Sequence, residues 1–340
     1  MITLAVIGAG EWGPNLVRNF HSPPRSRVAT VVDANPERLE LVAGRFPDID
    51  LSTDVSTVLG DDGIDAVVIA TPTSTHFELA RDALRSRKHV LVEKPLALTS
   101  KQAEELSYEA DAVGRVLMVG HLFLFNRGVR SVKEHIIAGN LGRIFYAAMV
   151  RTNLGPIRRD VNAAWDLAAH DISIANYWFD HQPLSVSAVG GSWINVGLDD
   201  AVFATLRYPE DILVNLHVSW LNPRKARDIT VVGDRAMLTL DDMNLLEPLR
   251  LYDKGVVEDR DISSYIDTFA SFRSNVREGD IRIPRLEMGE PLRDECEHFL
   301  DCIERDRQPF TGGAEGAAVL KVLEALARST NDHGREEPVV

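Results

Sequence analysis

Residues 8–13 read Gly8-Ala9-Gly10-Glu11-Trp12-Gly13. They follow the apolar run Thr3–Ile7 and precede a helix-forming stretch, Asn15–Phe20. A strand, a glycine turn and a helix are the setting in which Gly-x-Gly-x-x-Gly signals a bound dinucleotide. Gly8 permits the tight turn, Gly10 lets the backbone approach the pyrophosphate, and Gly13 lets helix and strand pack closely. The helix start offers N–H groups and a partial positive charge to the phosphates. Glu11 and Trp12 are expected to line the same loop.

The alternation continues outward from that turn. Val28–Val32, Ala66–Ala70, His89–Val92 and Val116–Val119 are short, β-branched and almost wholly apolar, as strands buried on both faces of a parallel sheet are. Helical stretches separate them at Pro36–Arg45, Ser74–Ser86 and Ser100–Ala112, the last with Thr99 or Ser100 as its cap. The fold class is therefore α/β, with an N-terminal doubly wound Rossmann sheet over residues 1–122. After residue 122 the pattern changes to alternating apolar and polar strands, among them Ile144–Arg151, Val186–Trp193, Ala201–Tyr208 and Ile212–Trp220. Turn residues such as Tyr208-Pro209-Glu210-Asp211 join them. Residues 123–340 are expected to form an α/β substrate-binding and oligomerisation domain with an open, mainly antiparallel sheet. Helices are expected near Val129–Ala138, Trp165–Phe179, Leu292–Arg305 and Glu315–Ser329.

A chain of 340 residues buries roughly three quarters of its unfolded surface, which suits two domains. The net charge of −14 argues against a nucleic-acid or anionic-membrane partner, both of which need clustered Lys and Arg. Cys296 and Cys302 suit neither a disulfide framework nor a zinc site and read as core thiols. The N-terminus shows no basic leader and no apolar run approaches the ~20 residues of a membrane span, so a cytoplasmic location is expected. No metal-ligand cluster is visible, and no metal is expected.

Val32-Asp33 ends the second strand twenty residues after Gly13. A carboxylate there accepts both hydroxyls of the adenosine ribose and repels a 2′-phosphate. Ala34 and Asn35 add no cation, so the expected cofactor is NAD. Thr71-Pro72-Thr73 follows the third of these strands, and the carboxyl ends of parallel strands face the ligand crevice, so these residues are expected on the nicotinamide-ribose side. His76 either contacts the ribose or nicotinamide or simply sits in the next helix's first turn. Glu93-Lys94-Pro95 ends a later strand of the same sheet and sets a charged amine where a nicotinamide would lie. Asp166 and His170 are four apart on one helix, hence on one face. An imidazole can take an alcohol's proton while hydride leaves its carbon, a carboxylate can orient a hydroxyl, and Lys94 can stabilise charge growing on oxygen.

Gly8-x-Gly10-x-x-Gly13, Thr71-Pro72, Glu93-Lys94-Pro95 and Trp165-Asp166-x-x-x-His170-Asp171 together resemble the Gfo/Idh/MocA oxidoreductases. The resemblance covers nearly the whole chain. It implies catalysis by Lys94, His170 and Asp166, an NAD site that includes Glu93 and Lys94, and a homodimer or homotetramer built through the C-terminal sheet. Substrate contacts are expected from Lys94, Asn126, Arg158, Asp166 and His170. Ser219–Lys225 is similar to the branch of the family found in sugar pathways, where a ring hydroxyl, often at C3, is oxidised to a ketone. Two substrate types compete. Arg158 and Arg159 favour the diphosphate of a nucleotide-linked sugar such as a UDP-amino sugar or uronic acid. The acidic charge, with Asp160 and Asp166, favours an amino-sugar glycoside such as an aminoglycoside intermediate, towards which the composition leans. Some members of the family have lost catalysis and act as NAD-binding regulators, an alternative that the pairing of Lys94 with His170 opposes.

Overall fold

A computed structural model describes residues 1–21, 24–159, 161–256, 276–277, 279–287 and 289–340. The first sheet contains β1 (Ile2–Ile7), β2 (Ser26–Val32), β3 (Asp50–Ser52), β4 (Ala66–Ile69), β5 (His89–Glu93) and β6 (Leu117–Gly120). Its order is β3-β2-β1-β4-β5-β6, every pair parallel, which is the doubly wound arrangement expected. β1, β4 and β6 are buried along almost their whole length, which is why they are apolar without alternation. The helices between the strands are α1 (Gly13–His21), α2 (Pro36–Ala43), α3 (Ser56–Leu59), α4 (His76–Arg85) and α5 (Ser100–Val113). Asn35 caps α2 by accepting from the Glu37 N–H, and Thr99 caps α5 by accepting from Gln102.

The chain divides into two compact units. The first is Met1–Phe125 together with Glu290–Lys321; the second is Asn126–Gly289 together with Val322–Val340. A single boundary at residue 122 was expected. The structure instead returns the helix Pro291–Glu304 to the first unit. Leu292, Cys296, Phe299, Leu300 and Cys302 are buried there with Leu16, Val17 and Phe20, and the Phe20 and Phe299 rings meet edge-on at 6.1 Å. Both cysteines are free and buried, as expected.

The second unit is built on β7 (Ile144–Leu154), β8 (Ser185–Gly191), β9 (Ala201–Arg207), β10 (Leu213–Ser219), β11 (Leu221–Gly233), β12 (Met237–Asp241) and β13 (Leu249–Tyr252). Within its nine-stranded sheet β10 and β7 are parallel and the other described pairs antiparallel. β9 alternates cleanly, with Val202, Ala204 and Leu206 buried and Phe203 and Arg207 outward. Helices α6 (Arg127–Ile137) and α7 (Ala169–Phe179) belong to this unit, and the Trp178 indole donates to the Val129 carbonyl at 2.9 Å. The expected helix Trp165–Phe179 is two pieces: a π-helical turn at Ala164–Ala168 and then α7. The run Leu221–Lys225 is the start of a long strand, with a break in register between Leu221 and Ala226. The helix Gly313–Asn331 begins in the first unit and ends in the second.

Candidate functional site

In the first unit the cradle at residues 8–13 is shaped by missing side chains. Gly8 sits at φ +105°, where a Cβ would lie 2.5 Å from the Ala70 carbonyl oxygen. A Cβ on Gly13 would collide with the Gly8 carbonyl, whereas one on Gly10 would meet only Arg38 Nη1, at 3.9 Å. Gly8 and Gly13 close the turn and Gly10 leaves its outer side open, as a pyrophosphate lying on the backbone requires. Glu11 and Trp12 are exposed on the loop. Asp33 is almost fully buried. Its Oδ2 accepts from the Ala9 N–H at 2.7 Å and its Oδ1 from the Asn35 N–H at 2.8 Å, which fixes the carboxylate beside the glycine turn. A residue that the sequence reading passed over is Arg38, whose Nη1 lies 3.7 Å from Asp33 Oδ2. It stands in the first turn of α2, beyond the residues adjacent to Asp33.

At the end of β4, Thr73 is buried in a short turn, Pro72 is exposed, and the Thr71 and Thr75 hydroxyls share a hydrogen bond of 2.7 Å. His76 is 1% exposed. Its Nδ1 is 2.8 Å from the Pro95 carbonyl and its Nε2 2.8 Å from the Thr71 carbonyl. The ring nitrogens lie against carbonyls of the loops that follow β4 and β5, which suits the second of its two readings, a place in the first turn of α4. Glu93 ends β5 and Lys94 follows it, and both are partly buried. Burial pushes the Glu93 carboxyl up to about 7, against the opposing pull of the Lys94 charge, of the Lys94 backbone N–H and of His121.

In the second unit the π turn carries Asp166 and the next turn carries His170. Asp166 is already engaged: Arg158 Nη1 lies 3.2 Å from its Oδ1 and the buried Trp220 indole donates to its Oδ2 at 3.2 Å. Arg158 is thus paired with Asp166, and Arg159 is exposed. Asp160 lies outside the described residues. His170 is partly buried, and its carbonyl accepts from the Ser173 hydroxyl at 3.0 Å. The following residue, Asp171, is 1% exposed and takes three hydrogen bonds of 2.7–3.1 Å from the buried Arg151 guanidinium on β7. That bidentate pair pins the start of α7 to the sheet and so fixes where His170 begins. Asn126, expected against substrate, makes hydrogen bonds within the second unit. Its Oδ1 accepts from the Gly128 and Val129 N–H groups as the cap of α6, and its Nδ2 donates to Asp242 at 2.7 Å.

Comparison with known proteins bears on both units. Residues 2–121 match the oxidoreductase family with an NAD-binding Rossmann fold, GFO/IDH/MocA, and residues 129–239 match the GFO/IDH/MocA C-terminal domain. The chain is 33% identical to scyllo-inositol 2-dehydrogenase (NAD(+)) of Bacillus subtilis, over 96% of this chain and 94% of that one. It is 27% identical to UDP-N-acetylglucosamine 3-dehydrogenase of Acidithiobacillus ferrooxidans, over 93% of each chain. The solved structure of that enzyme superposes with a TM-score of 0.81 at 26% identity, covering 97% of this chain and 98% of that one. The chain therefore belongs to the GFO/IDH/MocA oxidoreductases, with NAD as its cofactor and a CH–OH group as the site of oxidation. Among the described residues no helix is long and apolar enough to cross a membrane, and no group of His, Cys, Asp and Glu has the arrangement of a metal centre.

Proposed function

We propose that this member of the GFO/IDH/MocA oxidoreductases oxidises a ring secondary hydroxyl of an uncharged cyclic polyol, a cyclitol or hexose, to a ketone. The observation that carries the reading is the full-length likeness to an inositol 2-dehydrogenase in a chain that keeps Lys94 and His170. NAD, when bound, supplies the hydride acceptor. The Gly8–Gly13 turn holds its pyrophosphate and Asp33 its adenosine ribose. Glu93 and Lys94 take the nicotinamide side. Lys94 donates a hydrogen bond to the reacting oxygen and steadies the charge that grows there. His170 accepts the hydroxyl proton, and Asp166 orients the neighbouring hydroxyl.

The pairing of Asp166 speaks against a polycation. Its charge is already met by Arg158 within the second unit, so an aminoglycoside gains nothing from the acidic residue expected to bind it. A second reading, a nucleotide-linked sugar, is favoured by the likeness to UDP-N-acetylglucosamine 3-dehydrogenase. A screen of NADH absorbance over scyllo- and myo-inositol, free hexoses, UDP-N-acetylglucosamine and aminoglycosides tests these readings. Turnover of the cyclitols or hexoses is expected. Turnover of the UDP-sugar alone would move the assignment to nucleotide sugars, and NAD binding without NADH from any of them would favour a regulator.

Oligomerisation through the second-unit sheet belongs to the same reading. Its outward face shows Phe145, Tyr146, Val189 and Phe203, with the Phe203 and His217 rings stacked at 4.4 Å. Apolar side chains on one sheet face support an interface there. Light scattering of Phe203→Lys is expected to show a shift from oligomer towards a ~38 kDa monomer.

A further inference from the structure

Asp166 stands on the π turn Ala164–Ala168, a widened turn of the kind found frequently at functional sites. Its carboxylate is held from two sides, with Arg158 Nη1 3.2 Å from Oδ1 and Trp220 Nε1 3.2 Å from Oδ2. The two donors are unequal. The Arg158 side chain is 32% exposed, where water competes and an ion pair contributes little. Trp220 is 1% exposed, and a hydrogen bond from its single indole N–H to an ionised acceptor away from water is among the strong ones.

The place of Trp220, between β10 and β11, is set by Asp200. The Trp220 backbone N–H donates to the Asp200 carbonyl at 3.0 Å, and the Asp200 N–H donates to the Gly191 carbonyl at 2.8 Å. The Asp200 side chain is fully buried, and its Oδ2 accepts from the N–H groups of Trp193 at 2.6 Å and Ile194 at 2.7 Å. Those bonds fold the loop between β8 and β9 back on itself, which its apolar side chains do not do: Trp193 is 66% and Ile194 60% exposed, and Val196 is fully exposed. The neighbouring Asp199 carbonyl accepts from the Ala163 N–H at 2.9 Å, at the entry of the π turn. One loop therefore holds both the turn that carries Asp166 and the residue whose indole meets it, all within the second unit.

We infer that Trp220 is the positioning residue for Asp166 and that Asp200 acts one step behind it, by fixing where the indole lies; what Asp166 then does to substrate rests on the dehydrogenase reading. An indole N–H only donates, so Trp220 takes no part in proton exchange and serves to hold one carboxylate oxygen in place. A carboxylate so held meets the substrate hydroxyl in one orientation, and a small displacement of such a group lowers the rate even when the displacing change lies away from the chemistry.

A double-mutant cycle on kcat/KM for the polyol tests this, with Trp220→Phe and Asp200→Asn each made alone and together with Asp166→Asn. Trp220→Phe keeps an aromatic ring and drops the N–H, and is expected to lower kcat/KM about tenfold, the loss of one hydrogen bond to a charged group. Asp200→Asn is expected to lower it roughly three- to tenfold. Beside Asp166→Asn, each is expected to change it by less than about twofold. Losses of full size in both backgrounds mark a packing role and overturn the inference. Proton NMR gives a second readout that needs no substrate. The Trp220 indole N–H resonance, assigned by its disappearance in Trp220→Phe, is expected to move in Asp166→Asn and in Asp200→Asn. A resonance that Asp166→Asn leaves in place overturns the contact, and one that only Asp200→Asn leaves in place overturns the part given to Asp200. If Trp220→Phe fails to fold, Asp200→Asn carries the cycle. A wild type that makes no NADH from any polyol defeats the dehydrogenase reading instead, and the indole resonance still decides the positioning.

Discussion

Asp171 in the second unit and Glu295 in the first are equally buried, at 1% exposure each, and their surroundings differ sharply. Asp171 meets Arg151 through three hydrogen bonds, and nearby Asp166 meets Arg158 and Trp220. Glu295 has a carboxyl oxygen without a partner among the described residues, and the charge acting on it is that of another carboxyl, Glu93. A matched buried pair holds a geometry. A crowd of partly matched acids holds a proton instead, and its charge follows pH. The second unit thus pins the start of the helix that carries His170, whereas in the first unit burial raises the Glu93 carboxyl next to Lys94.

The largest effects test whether both regions take part in chemistry at all. Lys94→Ala and His170→Ala are each expected to lower kcat by ~10²–10⁴-fold, with the affinity for NAD, measured by calorimetry, changed only a few-fold. Near-wild-type turnover by either variant would remove that unit from the reaction.

The next contrast is in stability. Arg151→Met strands the Asp171 charge and is expected to cost about 3–5 kcal/mol in denaturant unfolding. Glu295→Gln, which keeps the shape of a neutral carboxyl, is expected to change stability by less than about 1 kcal/mol. Equal losses would erase the distinction between matched and unmatched acids.

A smaller effect sharpens the titratable side. The Glu93 carboxyl is raised in the folded protein, so the stability it contributes is fully present below its unfolded value of 4.5 and is lost as pH rises through about 7. Glu93→Gln should remove that loss. Between pH 5 and 8 the wild type is expected to lose stability relative to the variant, and parallel curves would show that Glu93 does not titrate in this range. Smallest of all, Arg158→Ala is expected to raise KM for a neutral polyol only a few-fold, because a partly exposed ion pair is worth ~1 kcal/mol or less. A loss of a hundredfold or more would show that Arg158 binds substrate directly.

The doubly wound sheet was legible because strands buried on both faces write themselves as β-branched runs, and the glycine spacing pointed to the turn proposed to hold the dinucleotide. β3 was not legible. Asp50-Leu51-Ser52 is a three-residue strand at the sheet edge with two exposed residues, and nothing in it suggests pairing. The π turn escaped notice because Ala164-Trp165-Asp166-Leu167-Ala168 has no residue that separates π from α winding. Asn126 could have been found, since an asparagine before a helical run is a cap signal. Arg38 and Glu295 look like ordinary charges on helix faces; only the return of the C-terminal segments to the first unit buries Glu295. Amphipathic periodicity shows that such a helix has an inner face but not which core receives it.

That return also orders events in time. A ribosome delivers residues 1–125 early, yet Leu16 and Phe20 must wait for Phe299 and Leu300, nearly three hundred residues later, before their side of the core is covered. A nascent first unit therefore spends most of translation with an apolar flank open to chaperones or to neighbouring chains. For this chain a stretch synthesised late finishes the first region begun.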